Sequence, residues 1–329
     1  MSQDTSRNTS RERVRRIVVD TDTGIDDAHT LLYLAGRPDA ELVAITSVYG
    51  NCAEEDAARN IGYVTGLLGL DVPVFRGAAK PLQGAPHIAG YVHGADGLGD
   101  RGYDRPPPRT GGETAAEALV RLGREHPGEL DLLALGPLTN LALALRIDPE
   151  LLTRYRSVVI MGGSGPFPPP GTHLTVDANV NNDPEAASAV FAAPRNRLVM
   201  VGVNVTSVTL LTEPAIAALR AAGTPRARFA TEILDAYLDF YQHHWGRRIC
   251  PLHDPLAAGI LLDPAFATGQ ALGPVNVIRH GPQARAHLMR TADGLPPAFR
   301  HEPAPPTTVI TAVDSARFVA DFVEVLTRP

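Results

Sequence analysis

Apolar runs and amphipathic stretches alternate along most of the chain. The β-branched run 17–19 is followed, after a turn, by apolar residues at helical spacing up to Ala35. A second strand is predicted over 41–48, a helix over 53–68 and a short third strand over 72–75. Alternation of strand and helix predicts an α/β fold with a mostly parallel sheet, whose ligands bind at the carboxyl ends of the strands.

The same patterns continue to the end of the chain, with no repeat and no dividing linker. Residues 16–329 are therefore predicted to form a single domain with helices flanking the central sheet, after a disordered tail over 1–15. Thr139 or Asn140 is expected to cap one helix, and Asp183 another that starts with Pro184. The further predicted elements are helix 113–126, strands 130–135, 157–161 and 199–203, two helices before His253, one helix after it to Leu262, edge strand 307–313 and closing helix 315–326.

Two long segments rich in Gly and Pro, 81–112 and 164–172, are predicted to be loops. The second is expected to cover the strand ends. The helix before His253 carries Tyr237, Tyr241 and Trp245 at i, i+4 and i+8, which forms one aromatic stripe. Such a stripe serves either core packing or stacking on an aromatic ligand.

Four carboxylates follow the first strand within eight positions, namely Asp20, Asp22, Asp26 and Asp27. Buried together they would repel one another, so a cation is needed to keep them ionised. Oxygen ligands favour Ca²⁺ or Mg²⁺. Two alternatives remain at this point: ordinary turn and cap residues, or a phosphatase of the haloacid dehalogenase type, although Gly24 stands where that class has Thr or Val.

Composition narrows the classes of function. A net charge of −6 over 329 residues gives no reason to expect nucleic acid as a partner, and no apolar run is long enough to span a membrane. Two cysteines, Cys52 and Cys250, predict neither a disulfide framework nor a zinc cluster, which favours the cytoplasm. Lys80 is the only lysine and lies outside any P-loop pattern, so Schiff-base and P-loop chemistry are unlikely functions.

Several motifs together resemble the inosine-uridine type nucleoside hydrolases, from about residue 16 to the C-terminus. They are Asp-x-Asp-x-Gly-x-Asp-Asp-Ala at 20–28, Gly50-Asn51, Gly-Pro-Leu-Thr-Asn at 136–140, Met-Gly-Gly at 161–163, Asn179 before Asp-Pro-Glu-Ala-Ala at 183–187, and His-Asp-Pro at 253–255. The resemblance implies a single α/β domain that binds one Ca²⁺ and hydrolyses ribonucleosides to ribose and free base. It also implies a homodimer or homotetramer.

Carried over by position, the resemblance implies a role for particular residues. The Ca²⁺ ligands would be Asp22, Asp27, Asp254 and the Leu135 carbonyl, and Asp22 would also take a proton from a calcium-bound water. The ribose would be held by Asp26, Asn51 and Asn179, with Met161 packed against the sugar. His253 would lie near the departing base, and Tyr241 and Trp245 would stack on it. His253 also has a structural alternative, as a helix N-terminal residue bonded to the backbone, and His93 has structural and substrate-binding alternatives of equal standing.

The chain departs from the family where the 5′-hydroxyl is held. The family has Asn in the loop after Met-Gly-Gly, whereas 165–173 contains none, and Asp177 replaces a longer Glu. Trp245 stands where some members have Arg. These departures keep a second hypothesis open, a hydrolase of modified nucleosides such as those altered at C5′. A non-catalytic nucleoside or ribose binding protein is the third.

Overall fold

The computed structural model of the protein describes residues 14–108, 110, 112–166, 176–279, 285–288 and 304–329. The strands in these residues form one large sheet and two small ones. In chain order they are β1 (Arg15–Thr21), β2 (Ala40–Ser47), β3 (Val74–Phe75), β4 (Leu130–Ala134), β5 (Ser157–Met161), β6 (Gly165–Pro166), β7 (Leu198–Val201), β8 (Leu210–Leu211), β9 (Cys250–Pro251), β10 (Ala267–Gly273), β11 (Val275–Ile278), β12 (Arg285–Leu288) and β13 (Thr307–Val313).

The large sheet contains eight of the described strands, in the order β10-β13-β7-β5-β4-β1-β2-β3. Neighbouring strands pair parallel from β13 to β3, and only β10 pairs antiparallel, with β13. The described residues thus confirm the predicted α/β fold with a mostly parallel central sheet.

Helices connect the strands and cover the sheet. In chain order the described helices are α1 (Ile25–Ala35), α2 (Glu54–Leu67), α3 (Gly90–His93), α4 (Ala115–Glu125), α5 (Thr139–Ile147), α6 (Leu151–Arg154), α7 (Ala178–Asn182), α8 (Pro184–Ala192), α9 (Val203–Thr206), α10 (Glu213–Ala222), α11 (Pro225–Glu232), α12 (Leu234–Trp245), α13 (His253–Leu262) and α14 (Ser315–Thr327).

The strand β1 is buried on both faces, which explains its continuous apolar run. Successive side chains of a strand point to opposite faces. Ile17 and Val19 accordingly join the apolar cluster that contains residues of α1, α2 and α10 to α14. Val18 joins the second cluster, which contains residues of α4, α5 and α8. Burial on both sides fixes the register of β1 and therefore the place where its polar end emerges.

The carboxyl ends of β1, β2, β4 and β5 meet at one edge of the sheet, where Asp22, Asn51 and Leu135 follow their strands. Gly24 occupies the N-cap of α1 in this crowded turn. A Cβ at Gly24 would lie 2.6 Å from Asn51 Nδ2 and 2.7 Å from His93 Nδ1. Any side chain at this position would collide with both residues, so glycine is required there.

Some predicted elements were wrong in detail. The strand 307–313 forms, but it lies between β7 and β10 and is not an edge strand. Neither Thr139 nor Asn140 caps α5, since Leu138 is the N-cap residue. The Asn140 side chain instead binds Asp20 and the Ser47 carbonyl. Four helices rather than two lie between β7 and His253 in the described residues.

Other predictions agree with the structure or lie beyond its described residues. Asp183 caps α8 by accepting a hydrogen bond from the Ala186 N–H, with Pro184 at the first position. Cys52 and Cys250 are buried and free. The predicted loop 81–112 contains the short helix α3. Nearly all of the predicted tail and the segment 167–175 lie outside the described residues, and β1 begins at Arg15, one residue before the predicted domain boundary.

Candidate active site

Four aspartates come together at the carboxyl edge of the sheet. Asp22 follows β1, Asp26 and Asp27 lie in the first turn of α1, and Asp254 is the second residue of α13. Their relative exposures are 1%, 5%, 0% and 3% in that order. Carboxylate oxygens of Asp26, Asp27 and Asp254 lie within 4.8 Å of one another. This separation suits a single cation between them.

Asn51 connects Asp22 to this group. Its backbone N–H donates to Asp22 Oδ2 at 2.8 Å, and its side-chain Nδ2 donates to Asp22 Oδ1 at 3.2 Å. The same Nδ2 donates to Asp27 Oδ2 at 2.8 Å. The Gly24 N–H also donates to Asp27 Oδ2, at 2.9 Å. Asn51 and the turn thus fix the orientation of two carboxylates.

Burial and mutual repulsion raise the pKa of all four carboxyl groups. Burial followed by the charge of Asp27 raises the pKa of Asp22 well above its usual value and that of Asp26 to about 8. Burial raises the pKa of Asp27, and burial followed by the charges of Asp26, Asp27 and Asp22 raises that of Asp254. Asp27 and Asp254 also share a hydrogen bond. Such a cluster is stabilised by a positive charge placed among its oxygens.

The donor set fits a hard cation. The buried Oδ1 of Asp26 has no hydrogen-bond partner among the described residues, which leaves one acceptor facing the cluster unsatisfied. The oxygens available are carboxylates and a strand-end carbonyl, the ligands that Ca²⁺ and Mg²⁺ prefer. The oxygens that converge within 4.8 Å belong to Asp26, Asp27 and Asp254. The predicted ligand Asp22 lies next to them, since Asn51 Nδ2 donates both to Asp22 and to Asp27. The charge of Asp22 interacts with those of Asp27 and Asp26, and its hydrogen bond with Asn51 fixes its position.

The Leu135 carbonyl lies beside this cluster and accepts a hydrogen bond from Asn179 Nδ2 at 2.6 Å. The same amide donates to the Met161 carbonyl at 3.0 Å. Asn179 therefore connects the ends of β4 and β5 and positions the carbonyl that was predicted as a metal ligand. Among the described residues, no donor binds its Oδ1, which can accept a hydrogen bond from a ligand in the cavity.

Asp177 acts as the N-cap of α7. Its carboxylate accepts hydrogen bonds from the backbone N–H groups of Asn179 at 3.2 Å and of Val180 at 2.8 Å, one at each oxygen. A third bond comes from the Gly163 backbone, and burial raises the pKa of Asp177. The sequence does not distinguish such a cap from a substrate ligand, because Asp serves both roles.

Two histidines and two tyrosines also line the site. His253 Nδ1 lies 2.6 Å from Thr206 Oγ1, and its Nε2 lies 3.3 Å from the Tyr241 hydroxyl. The Tyr237 hydroxyl donates to Asp26 Oδ2 at 3.4 Å. His93 Nδ1 accepts a hydrogen bond from the N–H of Ile25, at 3.2 Å. Burial lowers the pKa of His253 to about 4 and that of His93 to about 3.

These groups surround a cavity of about 290 Å³. Its rim is aromatic, with Tyr91 at 67% and Trp245 at 44% exposure. The cavity is also lined by Leu135, His253 and Asp254. All eight residues predicted to contact the substrate line it: Asp26, Asn51, His93, Met161, Asp177, Asn179, Tyr241 and Trp245. The stripe on α12 therefore extends from the core to the cavity rim, since Tyr237 is buried and Trp245 is 44% exposed.

The sequence analysis missed Thr206, Tyr91 and Phe240. Thr206 ends α9, which directly follows β7, so its position after a parallel strand could have marked it as a site residue. Tyr91 lies in a segment that was predicted to be a loop. Phe240 lies on α12, next to the aromatic stripe. The exposed ring of Tyr91 and the half-buried ring of Phe240 line the cavity, which is visible only in three dimensions.

Comparison with known proteins agrees with this geometry. Residues 17–320 match the family model described as inosine-uridine preferring nucleoside hydrolase. A probable uridine nucleosidase 2 of Oryza sativa subsp. japonica is 36% identical over 258 residues, which is 77% of this chain and 75% of that protein. An inosine-uridine preferring nucleoside hydrolase of Leishmania major is 34% identical over 81% of this chain and 84% of that protein. A plant nucleoside hydrolase structure superposes with a TM-score of 0.86 at 29% identity, over 96% of this chain and 99% of that one.

The chain belongs to the inosine-uridine preferring nucleoside hydrolase family. It is an N-ribohydrolase, an enzyme that cleaves ribonucleosides at the N-glycosidic bond. The acidic cluster and the cavity beside it are the candidate active site for this activity. Among the described residues, no helix combines the length and the apolar character that crossing a bilayer requires.

Proposed function

We propose that the enzyme hydrolyses its nucleosides with one Ca²⁺ held by Asp22, Asp27, Asp254 and the Leu135 carbonyl, and that Asp22 accepts the proton of the attacking water. The observation that carries the proposal is the buried cluster of four carboxylates, of which Asp26 and Asp254 line the cavity. A bound Ca²⁺ would lower the pKa of a water ligand and orient the ribose diol. With the cation bound, the carboxylates would be ionised at neutral pH.

The chain's own residues supply the remaining steps. Departure of the base develops positive charge at C1′, and the surrounding carboxylates stabilise that charge more strongly than the neutral substrate. The Asn51 bonds hold the Asp22 carboxylate in one orientation, which is what a general base requires. Asp26, Asn51 and Asn179 line the cavity where the ribose hydroxyls would bind, and Met161 lines it beside them.

The departing base needs a proton or an aromatic surface. His253 Nε2 lies 3.3 Å from the Tyr241 hydroxyl, and the rings of Tyr241 and Tyr237 pack with centroids 5.0 Å apart. All three side chains line the cavity. We propose that His253 acts as the proton donor to the base. Tyr241 and Trp245, whose ring centroids are 4.5 Å apart, would contact the base from the rim, with His93 beside them.

A modified nucleoside is the second candidate for the substrate. The observation in its favour is that each oxygen of Asp177 already accepts from a backbone N–H group, which leaves fewer lone pairs to hold a 5′-hydroxyl. Comparison of kcat/KM over uridine, inosine and their 5′-deoxy and 5′-substituted forms separates the two candidates. A preference of tenfold or more for 5′-modified forms would identify modified nucleosides as the substrates.

The central experiment measures ribose release from uridine and inosine before and after chelation. We expect activity to fall with chelator and to return with Ca²⁺ more fully than with Mg²⁺. Asp22→Asn should lower kcat by about 100-fold or more, because an amide is a far poorer base. Asp56→Asn is the matched control, since Asp56 pairs with Arg105 outside the cavity. Wild-type rates in Asp22→Asn would show that another residue is the general base. Full activity in chelator would show that hydrolysis requires no metal ion.

We also propose, from the resemblance alone, that the chain forms a homodimer or homotetramer. Light scattering at several protein concentrations tests this directly. A monomer mass at all concentrations would contradict it.

A further inference from the structure

We infer that Thr206 is a positioning residue that holds the His253 imidazole as an Nε2–H donor directed at Tyr241 and the nucleoside cavity. The inference rests on the proposed role of His253 in the departure of the base. Thr206 is fully buried, and its Oγ1 lies 2.6 Å from His253 Nδ1. The opposite ring nitrogen lies 3.3 Å from the Tyr241 hydroxyl. One hydroxyl from α9 and one from α12 therefore fix the imidazole between them.

The backbone around Thr206 is itself fixed. Its N–H donates to the Gly202 carbonyl at 3.2 Å, and its carbonyl accepts from the Thr209 N–H at 3.1 Å. The Thr209 carbonyl in turn accepts from the N–H of Leu252, the residue before His253, at 2.9 Å. A Cβ at Gly202 would lie 2.6 Å from the Gly163 carbonyl oxygen, so α9 packs tightly at its start. Thr206 and His253 thus belong to one hydrogen-bonded frame.

Two proton arrangements fit the two contacts of the imidazole. In the first, the Thr206 hydroxyl donates to Nδ1, and Nε2–H is directed at the Tyr241 hydroxyl. In the second, Nδ1–H donates to Thr206 Oγ1.

The reverse arrangement is disfavoured at Thr206. If Nδ1 carried the proton, the Thr206 hydroxyl would accept and its own proton would need a second acceptor. Among the described hydrogen bonds of Thr206 Oγ1, His253 Nδ1 is the only partner. An unsatisfied buried donor is rarer in proteins than an acceptor with an unused lone pair. Thr206 as donor therefore satisfies more groups than Thr206 as acceptor.

Three variants test this assignment. Thr206→Val keeps the shape and removes the hydroxyl, Thr206→Ser keeps the hydroxyl, and Tyr241→Phe is the reference for loss of the other bond to the ring. We expect Thr206→Val to lower kcat on inosine and uridine about tenfold or more, with KM changed less. The loss on p-nitrophenyl riboside should stay below about threefold, because an activated leaving group needs no proton. Thr206→Ser should recover most of the activity on the nucleosides.

A spectroscopic measurement tests the tautomer without turnover. In ¹⁵N NMR spectra of the wild-type enzyme, with His253 assigned by comparison with His253→Gln, we expect Nε2 protonated and Nδ1 unprotonated. Thr206→Val should shift the Nδ1 signal. Nδ1 protonated in the wild type would overturn the inference, and so would equal losses on nucleosides and on p-nitrophenyl riboside. Absence of nucleoside hydrolysis by the wild type would instead refute the proposed function, while the NMR result would still decide the role of Thr206.

Discussion

Asn51 binds the Asp22 carboxylate at both oxygens, through its backbone N–H at 2.8 Å and its side-chain amide at 3.2 Å. The backbone bond survives any substitution at position 51 except proline, and the other bond depends on the side-chain amide. The carboxylate proposed as the base is therefore oriented by a residue from the neighbouring strand end. Mutation of Asn51 separates orientation of Asp22 from its chemistry.

Asn51→Ala removes the side-chain bonds to Asp22 and Asp27 and keeps the backbone bond. A hydrogen bond to a charged group contributes about 1.5–3 kcal/mol, so kcat/KM for nucleosides should fall by about 10- to 100-fold. Steady-state kinetics measures the loss. Asn51→Asp is the comparison variant, in which a fifth carboxylate should reduce activity further. Unchanged kcat/KM in Asn51→Ala would mean that the backbone bond alone orients Asp22.

The second prediction concerns pH and the metal-free protein. Asp26 has its pKa raised from 3.8 to about 8 by burial and then by Asp27, and Asp22 and Asp254 are raised as well. The folded state therefore binds more protons than the unfolded state over this range. In chelator, the free energy of unfolding should fall as pH rises from about 4 to about 8. Urea unfolding at several pH values measures the slope.

Asp26→Asn should make that slope shallower and should stabilise the metal-free protein at pH 8. Asp39→Asn is the control. The pKa of Asp39 is shifted in the opposite direction, since the Arg37 hydrogen bond lowers it. Its substitution should leave the slope between pH 5 and pH 8 unchanged. A metal-free protein whose stability rises over this range would contradict the repulsion among the four carboxylates.

The third prediction is that Ca²⁺ stabilises the folded protein through this cluster. Ligand at 100 times its Kd adds about 2.7 kcal/mol to the free energy of unfolding. Thermal unfolding with and without Ca²⁺ should show a higher Tm with the cation, and a smaller rise with Mg²⁺. Asp254→Asn should reduce the increase strongly. The same Tm increase in wild type and Asp254→Asn would place the cation elsewhere.

The fourth prediction concerns the 5′ end of the substrate. Asp177 is used as a helix cap, so Asp177→Ala should cost about 1 kcal/mol in stability. Loss of the 5′-hydroxyl from the substrate should lower kcat/KM by less than about tenfold, or about 1.4 kcal/mol, because the short Asp177 side chain is already bound to backbone N–H groups. Asp177→Glu, with one more methylene, should increase discrimination in favour of the 5′-hydroxyl. A thousandfold loss with 5′-deoxynucleosides in the wild type would show that another group holds that end.

The sequence predicted the parallel core well because β1, β2, β4, β5 and β7 are short apolar runs between helical patterns. It missed β10, whose residues Ala267–Gly273 include two glycines and no β-branched residue other than Thr268. This strand forms because β13 offers it an unpaired edge, which is a tertiary cause. The prediction of β13 as the edge failed for the same reason.

The candidate site was predictable where residue type and strand end coincide, as for Asp22, Asn51 and Leu135. It was not predictable where two roles use the same residue type. Asp177 and Asp26 are both buried aspartates on the cavity, yet one binds backbone N–H groups and the other faces the acidic cluster. Thr206 was missed because a threonine has no chemical signature until its partner is known.

Residues that meet in the cavity are far apart in the chain. Tyr237 and Asp26, which share a hydrogen bond, are 211 positions apart. The cavity is therefore complete only after α12 and α13 have packed against the carboxyl end of β1. During synthesis, the aspartates of the first strand leave the ribosome long before their partners do. Contacts of such high sequence separation form late in folding, because the loop between them must first be closed. Tight cation binding would then report the last stage of folding, and a fragment ending before α12 should lack it.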